Sequence, residues 1–484
     1  MIHATDTICA PATSAGTGAI AVIRVSGPDA LAAVDRVVAF RSGTAAAAKG
    51  YTVKIGNAAG LDDVLVSIFR APRSYTGEDA AEISCHASPY IVSALLDKLT
   101  EAGCRLAEPG EFTRRAYVNG KMDLAQAEAV ADVIAASSAA QHRVAMNQLR
   151  GGYSAELRGL RGQLLELASL LELELDFSEE DVEFADRSRL RDLLDTACSH
   201  CRQLADSFRL GNAIKNGVPV AIVGAPNSGK STLLNALLRD DRAIVSDIPG
   251  TTRDTVEETC VIGGVLFRFI DTAGIREASD EVERLGIERT FRKIGEAEIV
   301  LGVVDASMPQ EAVDAAISEI AGRVDASRQK LLILLNKADR SEAPAGGRPA
   351  SGTPPIHPGG GHGNGHPKPA SGTTTISFSV DHCDPLRISA KHGAGLEELR
   401  AALAASTGVA SAAGTLVTNA RHAAALREAA ASLSAVSDGL DRGIPSDLLA
   451  EDLRAALASL GTITGLITTD EVLGEIFSKF CIGK

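Results

Sequence analysis

Apolar residues recur along this chain with two different periods, and the period changes at definite places. In residues 1–119 strand-like and helix-like stretches are mixed: residues 19–25 and 64–69 read as strands, 28–39 and 90–101 as helices. From about Asp123 the pattern becomes helical. Leu157, Leu160, Leu164, Leu165, Leu167, Leu170 and Leu171 follow helix spacing through a stretch almost free of breakers. This predicts one or two long amphipathic helices ending near Asp176-Phe177, with a further helical region over 190–210. At Asn216-Gly217 the pattern switches to short apolar strands, at 218–223, 265–270, 331–335 and 386–388. After about Ser406 it is helical again, over 419–440, 446–460 and 471–480. A helical block interrupted by α/β structure predicts an inserted domain, with the two helical halves packed on each other. The chain is therefore expected to be multidomain, α/β and α+β. Residues 1–119 form an α+β domain, 120–215 the first helical half, 216–407 the α/β insertion and 408–484 the second helical half. Residues 343–375 are rich in Gly, Pro and Ser and contain His357, His362 and His366. Such a segment buries too little apolar surface to offset its ordering entropy. It reads as a disordered surface insertion rather than a metal site.

Composition narrows the class. A chain of 484 residues exceeds one ordinary domain. With 45% hydrophobic and 23% charged residues it reads as globular and soluble. No apolar run approaches the ~20 residues of a membrane span, so no membrane partner is expected. The N-terminus carries no basic-then-apolar secretion signal. Eight cysteines without dense spacing suggest free thiols in a reducing, cytoplasmic setting. The net charge of −14 argues against broad sequence-independent nucleic-acid binding. It leaves room for a local basic patch or a basic partner subunit.

The chemistry is concentrated in a few motifs. Gly224-Ala225-Pro226-Asn227-Ser228-Gly229-Lys230-Ser231 fits G-x-x-x-x-G-K-[ST] and follows an apolar strand. The glycines let backbone N–H groups close around an anion, and a helix starting at Lys230 and running through Thr232 adds its positive end. Lys230 is suited to the β/γ-phosphates and the Ser231 hydroxyl to Mg²⁺. Four later motifs decide the nucleotide, two of them at the base. Asp339 in Asn336-Lys337-Ala338-Asp339 can accept hydrogen bonds from guanine N1–H and the 2-amino group, whereas adenine would leave a buried mismatch costing about 1–3 kcal/mol. Ser389-Ala390-Lys391 fits a second base-contacting loop. Asp271-Thr272-Ala273-Gly274 fits the loop beside Mg²⁺ and the γ-phosphate. Gly250-Thr251-Thr252-Arg253-Asp254 fits a switch loop with a hydroxyl for Mg²⁺. GTP is the expected nucleotide. Ile275 stands where a water-orienting glutamine is familiar, and several carboxylates between Glu277 and Glu283 are candidates for that role.

The stretch from Asp271 to Glu288 resembles the MnmE (TrmE) family of bacterial tRNA-modification GTPases. So do Ser74-Tyr75-Thr76-Gly77-Glu78-Asp79, Pro109 to Ala116, Asn119 to Leu124, and the terminal Phe480-Cys481-Ile482-Gly483-Lys484. The resemblance spans essentially the whole chain. It implies a folate-binding and dimerising N-terminal domain and a phosphate-loop G domain inserted in a helical domain. It also implies a homodimer and an FAD-dependent MnmG-like subunit joined to it as a heterotetramer. The family activity adds an aminomethyl or carboxymethylaminomethyl group to C5 of the tRNA wobble uridine. The one-carbon unit comes from 5,10-methylenetetrahydrofolate, of which 5-formyl-tetrahydrofolate is an analogue. GTP hydrolysis in the family depends on K⁺.

Residue by residue, the resemblance carries K⁺ ligation to Asn227, Ser246, Ile248 and Thr251, within the loop that includes Asp247, Pro249 and Gly250. It carries Mg²⁺ ligation to Ser231 and Thr252, and water orientation to Glu283. Asp271, Arg253 and Cys481 join Glu283 as catalytic candidates. Arg24, Glu82, Lys121 and Lys484 match folate-contacting positions, with Glu78 lying close to Glu82. A K⁺ ion beside the phosphates can offset charge in the loose transition state, and Arg24 with the lysines can pair the carboxylates of a folate tail. Without the family, Arg24 and Lys121 read as surface ion-pair residues. Cys85-His86-Ala87-Ser88 replaces the usual His-Gly-Gly turn.

Two cysteine groups remain. Cys198-Ser199-His200-Cys201 lacks a second half-site and lies in an amphipathic helix, so buried thiols are expected there rather than zinc. Cys481, beside Lys479 and Lys484, is either a nucleophile of lowered pKa or a packed small residue. The rival functions are a ribosome-assembly GTPase and a regulatory GTPase switch without chemistry on RNA.

Overall fold

The computed structural model describes residues 6–176, 187–240, 257–270, 295–340, 385–409 and 414–483. The chain divides into two compact units, Met1–Lys215 with Ala413–Lys484, and Asn216–Ala412.

The first unit opens with β1 (Ile8–Pro11), β2 (Ile20–Ser26), α1 (Ala30–Val37), β3 (Val38–Phe40), β4 (Thr52–Ala58), β5 (Asp62–Phe69), β6 (Ala80–His86), α2 (Pro89–Glu101), β7 (Arg105–Leu106) and α3 (Glu111–Val118). The seven strands form one sheet in the order β3-β4-β5-β6-β2-β1-β7. Only β1 and β7 pair in parallel. Alternation sorts the side chains. Ile23 and Val25 of β2, Val66 and Ile68 of β5, and Ala81 and Ile83 of β6 are buried with Leu31 and Val34 of α1 and Leu95 and Leu99 of α2. The intervening residues take the opposite face, where Arg24 is the register partner of Glu82 and Glu82 that of Ser67. A slip of one residue would send that charged row into the core. Apolar Val53, Ile55 and Leu65 stand exposed, with Ile55 directly opposite Leu65. The sequence pattern identified β2, β5, α1 and α2 but passed over β4 and β6. Both carry a period-2 alternation, but in β6 it rests on small residues such as Ala81 and Cys85, and in β4 Lys54 and Gly56 stand between Val53, Ile55 and Ala58, so the signal is weak.

Next come α4 (Leu124–Ala135), α5 (Ala139–Leu149), α6 (Gly152–Asp176), α7 (Arg187–Asp206) and α8 (Phe208–Asn216). Capping boxes start α4, from Asp123 and Gln126, and α5, from Ser138 and Gln141. The leucine-rich stretch is one helix of 25 residues. The helical region expected over 190–210 consists of two helices that meet at Ser207. There Oγ donates to Leu204 O (2.7 Å) and accepts from Val417 N (3.1 Å), so the side chain competes with the helical ladder.

The second unit contains β8 (Val218–Val223), α9 (Lys230–Asp240), β9 (Glu258–Ile262), β10 (Val265–Phe269), β11 (Ile299–Asp305), α10 (Gln310–Ala321), β12 (Lys330–Asn336), β13 (Leu386–Arg387) and α11 (Leu396–Ser406). Its sheet order is β13-β12-β11-β8-β10-β9, parallel except for the β9–β10 hairpin. β8 and β11 lie in the middle and are almost wholly buried, as a parallel sheet covered on both faces requires. Their carboxyl ends carry the loops that make the site.

The chain then returns to the first unit with α12 (Ala420–Asp441), α13 (Ser446–Thr464) and α14 (Asp470–Ser478). Leu157, Leu160, Leu164 and Leu171 of α6 are buried with Leu194 and Cys201 of α7, Leu426 and Leu433 of α12, and Leu453 and Leu460 of α13. The two helical halves thus share one core, with the α/β domain inserted between them. A buried ion pair ties them further. Glu128 of α4 lies 2.7 Å from His422 Nε2 and 3.0 Å from Arg421 Nη2 of α12. Among the described residues no helix is long and apolar enough to cross a membrane.

Candidate functional site

The loop between β8 and α9 is shaped by backbone conformations that side chains rarely adopt. Gly224 has φ +152°, and a Cβ there would stand 2.2 Å from Val303 O. Gly229 has φ +102°, and a Cβ there would stand 2.1 Å from Asn336 Nδ2. Asn227 is itself left-handed, with φ +59°. The loop closes tightly, with the Lys230 ammonium folded back onto Gly224 O (3.0 Å) and Ala225 O (2.9 Å). The Ser228 hydroxyl is buried and has no hydrogen-bond partner among the described residues. A cation, an unpaired hydroxyl and the N-terminus of α9 converge here, with Ser231 and Thr232 in the first turn. The set fits a polyphosphate and its Mg²⁺.

Asn336 joins this cradle to the base-contacting loops. It is 3% exposed. Its Nδ2 donates to Ser228 O (2.8 Å), and its Oδ1 accepts from Ala390 N (3.0 Å). Lys337, at φ +63°, pairs with Asp305 Oδ2 at 2.6 Å. Burial pushes the Asp305 carboxyl up, but Lys337 and the Ser307 hydroxyl outweigh it and hold it below the usual range. Asp339 remains partly exposed. Ser389 Oγ donates to its Oδ1 (2.6 Å), and His392 Nε2 stands 3.7 Å from Oδ2. The Ser389 hydroxyl, foremost, holds the Asp339 carboxyl below the usual range. An ionised acceptor set beside the second loop is what the N–H edge of guanine requires. Sequence reading identified Asn336, Lys337, Asp339, Ser389, Ala390 and Lys391 but missed Asp305 and His392. Asp305 ends an apolar strand and had that signal; His392 had none beyond following Lys391.

Ser246, Asp247, Ile248, Pro249, Gly250, Thr251, Thr252, Arg253, Asp271, Thr272, Ala273, Gly274, Glu283 and Lys484 lie outside the described residues, as does the 343–375 segment.

A second constellation lies on the open face of the N-terminal sheet. Arg24 donates from Nε (3.0 Å) and Nη2 (2.8 Å) to Glu82 Oε1, and from Nη1 to Gly483 O (3.3 Å). Its guanidinium lies 5.3 Å from the Tyr75 ring centroid and 5.5 Å from that of Phe112. Tyr75 OH is bonded to Thr113 Oγ1 (2.9 Å). Glu78 faces elsewhere, toward Ser26 Oγ (2.8 Å) and Arg115 (3.3 Å). Beneath it Glu111, 1% exposed, pairs with Arg105 and Arg115. Burial raises the Glu111 carboxyl, and these guanidinium groups with the Glu108 N–H bring it below the usual range. Lys121 is exposed and donates to Pro72 O (2.8 Å), bordering the Tyr75 loop rather than touching Arg24. The set offers the Glu82 carboxylate, the Arg24 guanidinium and the Tyr75 ring to a polar ligand with a flat face, while Phe112 is wholly buried.

The C-terminal tail is seated at this place. Phe477 and Phe480 are buried against Leu124, Ala127 and Val130 of α4. Gly110 N donates to Cys481 O (3.4 Å), and a Cβ on Gly483 would stand 2.0 Å from Pro11 O. The Cys481 thiol is exposed. The expected neighbour Lys479 pairs instead with Glu475 at 3.1 Å. Cys198 and Cys201 are buried in the helical core, and the Cys198 thiol donates to Ala430 O (3.6 Å). Residues 85–88 end β6 and start α2, with Ser88 as N-cap before Pro89 and His86 Nδ1 2.8 Å from Asp62.

Comparison with known proteins bears on both constellations. A profile of the GTP-binding protein TrmE N-terminus matches residues 7–121, and one of the MnmE helical domain matches 124–481. The tRNA modification GTPase MnmE of Bacteroides thetaiotaomicron is 48% identical over 489 residues, covering 99% of each chain. That of Christiangramia forsetii is 49% identical over 490 residues, again covering 99% of each chain. The MnmE of Parabacteroides distasonis is 47% identical, over 99% of this chain and all of its own. With a phosphate cradle, a guanine-type pocket and relatives matching from end to end, the chain belongs to the MnmE family of tRNA modification GTPases.

Proposed function

We propose that this chain hydrolyses GTP to GDP and phosphate as part of tRNA wobble-uridine modification. The observation that carries the reading is Asn336, whose single amide holds the phosphate loop at Ser228 and the base loop at Ala390. Lys230 and Mg²⁺, the latter held by Ser231 and Thr252, neutralise the phosphates. Asn227, Ser246, Ile248 and Thr251 hold K⁺, which offsets transition-state charge in place of an arginine. Glu283 orients the attacking water, with Asp271, Gly274 and Arg253 nearby in sequence motifs of the same site. The Arg24–Glu82 constellation, with Lys121 and Lys484, would hold 5,10-methylenetetrahydrofolate, which would supply the one-carbon unit; the cationic side chains would pair with the carboxylates of its tail. Cys481, seated beside that constellation, takes part in the one-carbon chemistry at uridine C5.

The chain acts in the cytoplasm as a homodimer joined to an FAD-dependent MnmG-like subunit, which supplies the redox group. The exposed Val53, Ile55 and Leu65 on the N-terminal sheet favour self-association there, because an apolar cluster on an open sheet face is stabilised by being covered. The direct test is nucleoside analysis of tRNA from cells lacking this protein. The aminomethyl-type substituent should disappear, and return with the parent gene but not with Cys481→Ser. Unchanged nucleosides would overturn the reading. Exchange of K⁺ for Na⁺ should slow GTP hydrolysis strongly; equal rates would remove the cation role.

A further inference from the structure

The chain passes into the nucleotide-binding unit after Lys215 and comes back along residues 414–418. One helix holds both crossings. Gln141 and Gln148 lie seven residues apart on α5, two turns along one face. Gln141 Nε2 donates to Lys215 O (2.8 Å). Gln148 Nε2 donates to Leu416 O (3.1 Å) and to Thr418 Oγ1 (3.2 Å). Both side chains are buried, at 9% and 5% exposure. The outgoing and returning segments also touch directly. A Cβ on Gly211 of α8 would stand 2.1 Å from Val417 O, and Val417 N donates to Ser207 Oγ. The Lys215 ammonium is held by Asp132 of α4 at 2.8 Å.

The same helix leads to the Cys481 tail. Gln126 of α4 donates to Leu149 O at the end of α5 (3.0 Å). Leu124, Ala127 and Val130 of α4 form the surface on which Phe477 and Phe480 are buried, two steps from Cys481 and from the Gly483 carbonyl that Arg24 holds. A displacement of one crossing segment against the other would act on both glutamine bonds of α5, and the Gln126 amide and the packed phenylalanine rings continue the contact toward the tail.

Resting on the GTP-dependent tRNA modification proposed above, we propose that Gln141 and Gln148 are positioning residues. They convert the nucleotide state into a shift of α5 and α4 that seats the Cys481 tail at the Arg24–Glu82 site. Neither residue touches nucleotide or folate; each acts through the crossing segment that it holds. Leucine at either position keeps the volume and removes the amide donor; at Gln141 it also removes the oxygen that accepts from Ser137 N and Ser138 N, which the melting temperature reads separately.

The test uses the full chain with its partner subunit. Gln141→Leu, Gln148→Leu and the double variant are compared with the parent for GTP turnover, melting temperature and modified wobble uridine formed. Turnover should stay within twofold in the double variant while modified uridine falls at least tenfold. Hydrogen exchange should show protection over 139–149 changing between GDP and a non-hydrolysable GTP analogue in the parent, and not in the double variant. Unimpaired modification in the double variant overturns the proposal. So does a fall of turnover, melting temperature and modification together, which marks a structural anchor. Absence of nucleotide-dependent protection in the parent overturns it even if the variants fail to fold. A parent that hydrolyses GTP but modifies no uridine overturns instead the functional reading on which this rests.

Discussion

The nucleotide cradle and the Arg24 constellation are built on opposite plans. The first is made by loops at the ends of adjacent parallel strands, and its working groups are largely backbone: Gly224 and Gly229 in left-handed conformations, and Ser228 O and Ala390 N fixed by Asn336. The second is made by side chains from distant segments, at positions 24, 75, 82, 112 and 483. A backbone site tolerates little change in its glycines, because the conformation is the function. A side-chain site should degrade by degrees as one contact after another is removed. Substitutions of matched kind at the two places can break or sharpen that contrast.

The largest effect is expected for Gly229→Ala. The added Cβ meets both a positive φ and the Asn336 amide, so the amide has to leave its two partners. Affinity for GTP should fall about 100-fold, from about 3 kcal/mol of strain and lost bonds. Titration with a fluorescent GTP analogue checks it, and a loss under threefold would mean the loop is not held by backbone geometry. Asp339→Asn comes next. It removes the acceptor for the guanine N–H edge and should weaken GTP binding roughly tenfold. Xanthine nucleotides should gain correspondingly, since their 2-oxo group accepts from the asparagine amide. Calorimetry with both nucleotides decides whether the base is read by this one carboxylate.

At the other site Arg24→Lys retains the charge and loses the fork on Glu82 and the stacking on Tyr75 and Phe112. A loss of about tenfold in 5-formyl-tetrahydrofolate affinity is expected, with GTP affinity unchanged. A loss as steep as that of Gly229→Ala would erase the contrast between the sites.

The smallest effect concerns the helical core that carries the Cys481 tail. Burial raises the Glu128 carboxyl, but His422 and Arg421 outweigh it, and the group sits below the ordinary 4.5. A carboxyl depressed on folding stabilises the protein above its unfolded value, and that stability is lost as pH falls through the folded value. Glu128→Gln should therefore melt a few degrees below the parent at pH 7, and the gap should close as the pH drops below about 4.5. Melting curves from pH 7 to pH 3.5 check it; a gap independent of pH would show that the charge contributes nothing.

How far the sequence could be read followed the same division. The phosphate loop, Asn336–Asp339 and Ser389–Lys391 are short runs behind apolar strands, and their spacing alone implied both GTP and the pocket. Helices α6, α12 and α13 were legible because a leucine period of 3.6 extends over many turns. The split at Ser207 was not, since its cause is a hydrogen bond from Val417, which is 210 residues away. Strands β4 and β6 were missed because their inward positions hold small or polar residues such as Gly56, Ala81 and Cys85, which make the alternation faint. Arg24 and Glu82 entered only through family resemblance. Nothing local distinguishes them from an ordinary surface pair, and only sheet register makes them neighbours.

Linear pattern by itself was enough to read a helical block interrupted by an α/β insertion and to point to a guanine nucleotide, because each of these depends on groups close together in the chain. Tertiary structure alone decided that Glu82 and not Glu78 faces Arg24. It alone put Gly483 over β1 and gave both chain crossings to one helix. Those choices depend on strand register and on packing between segments hundreds of residues apart, and neither leaves a periodic trace in the sequence.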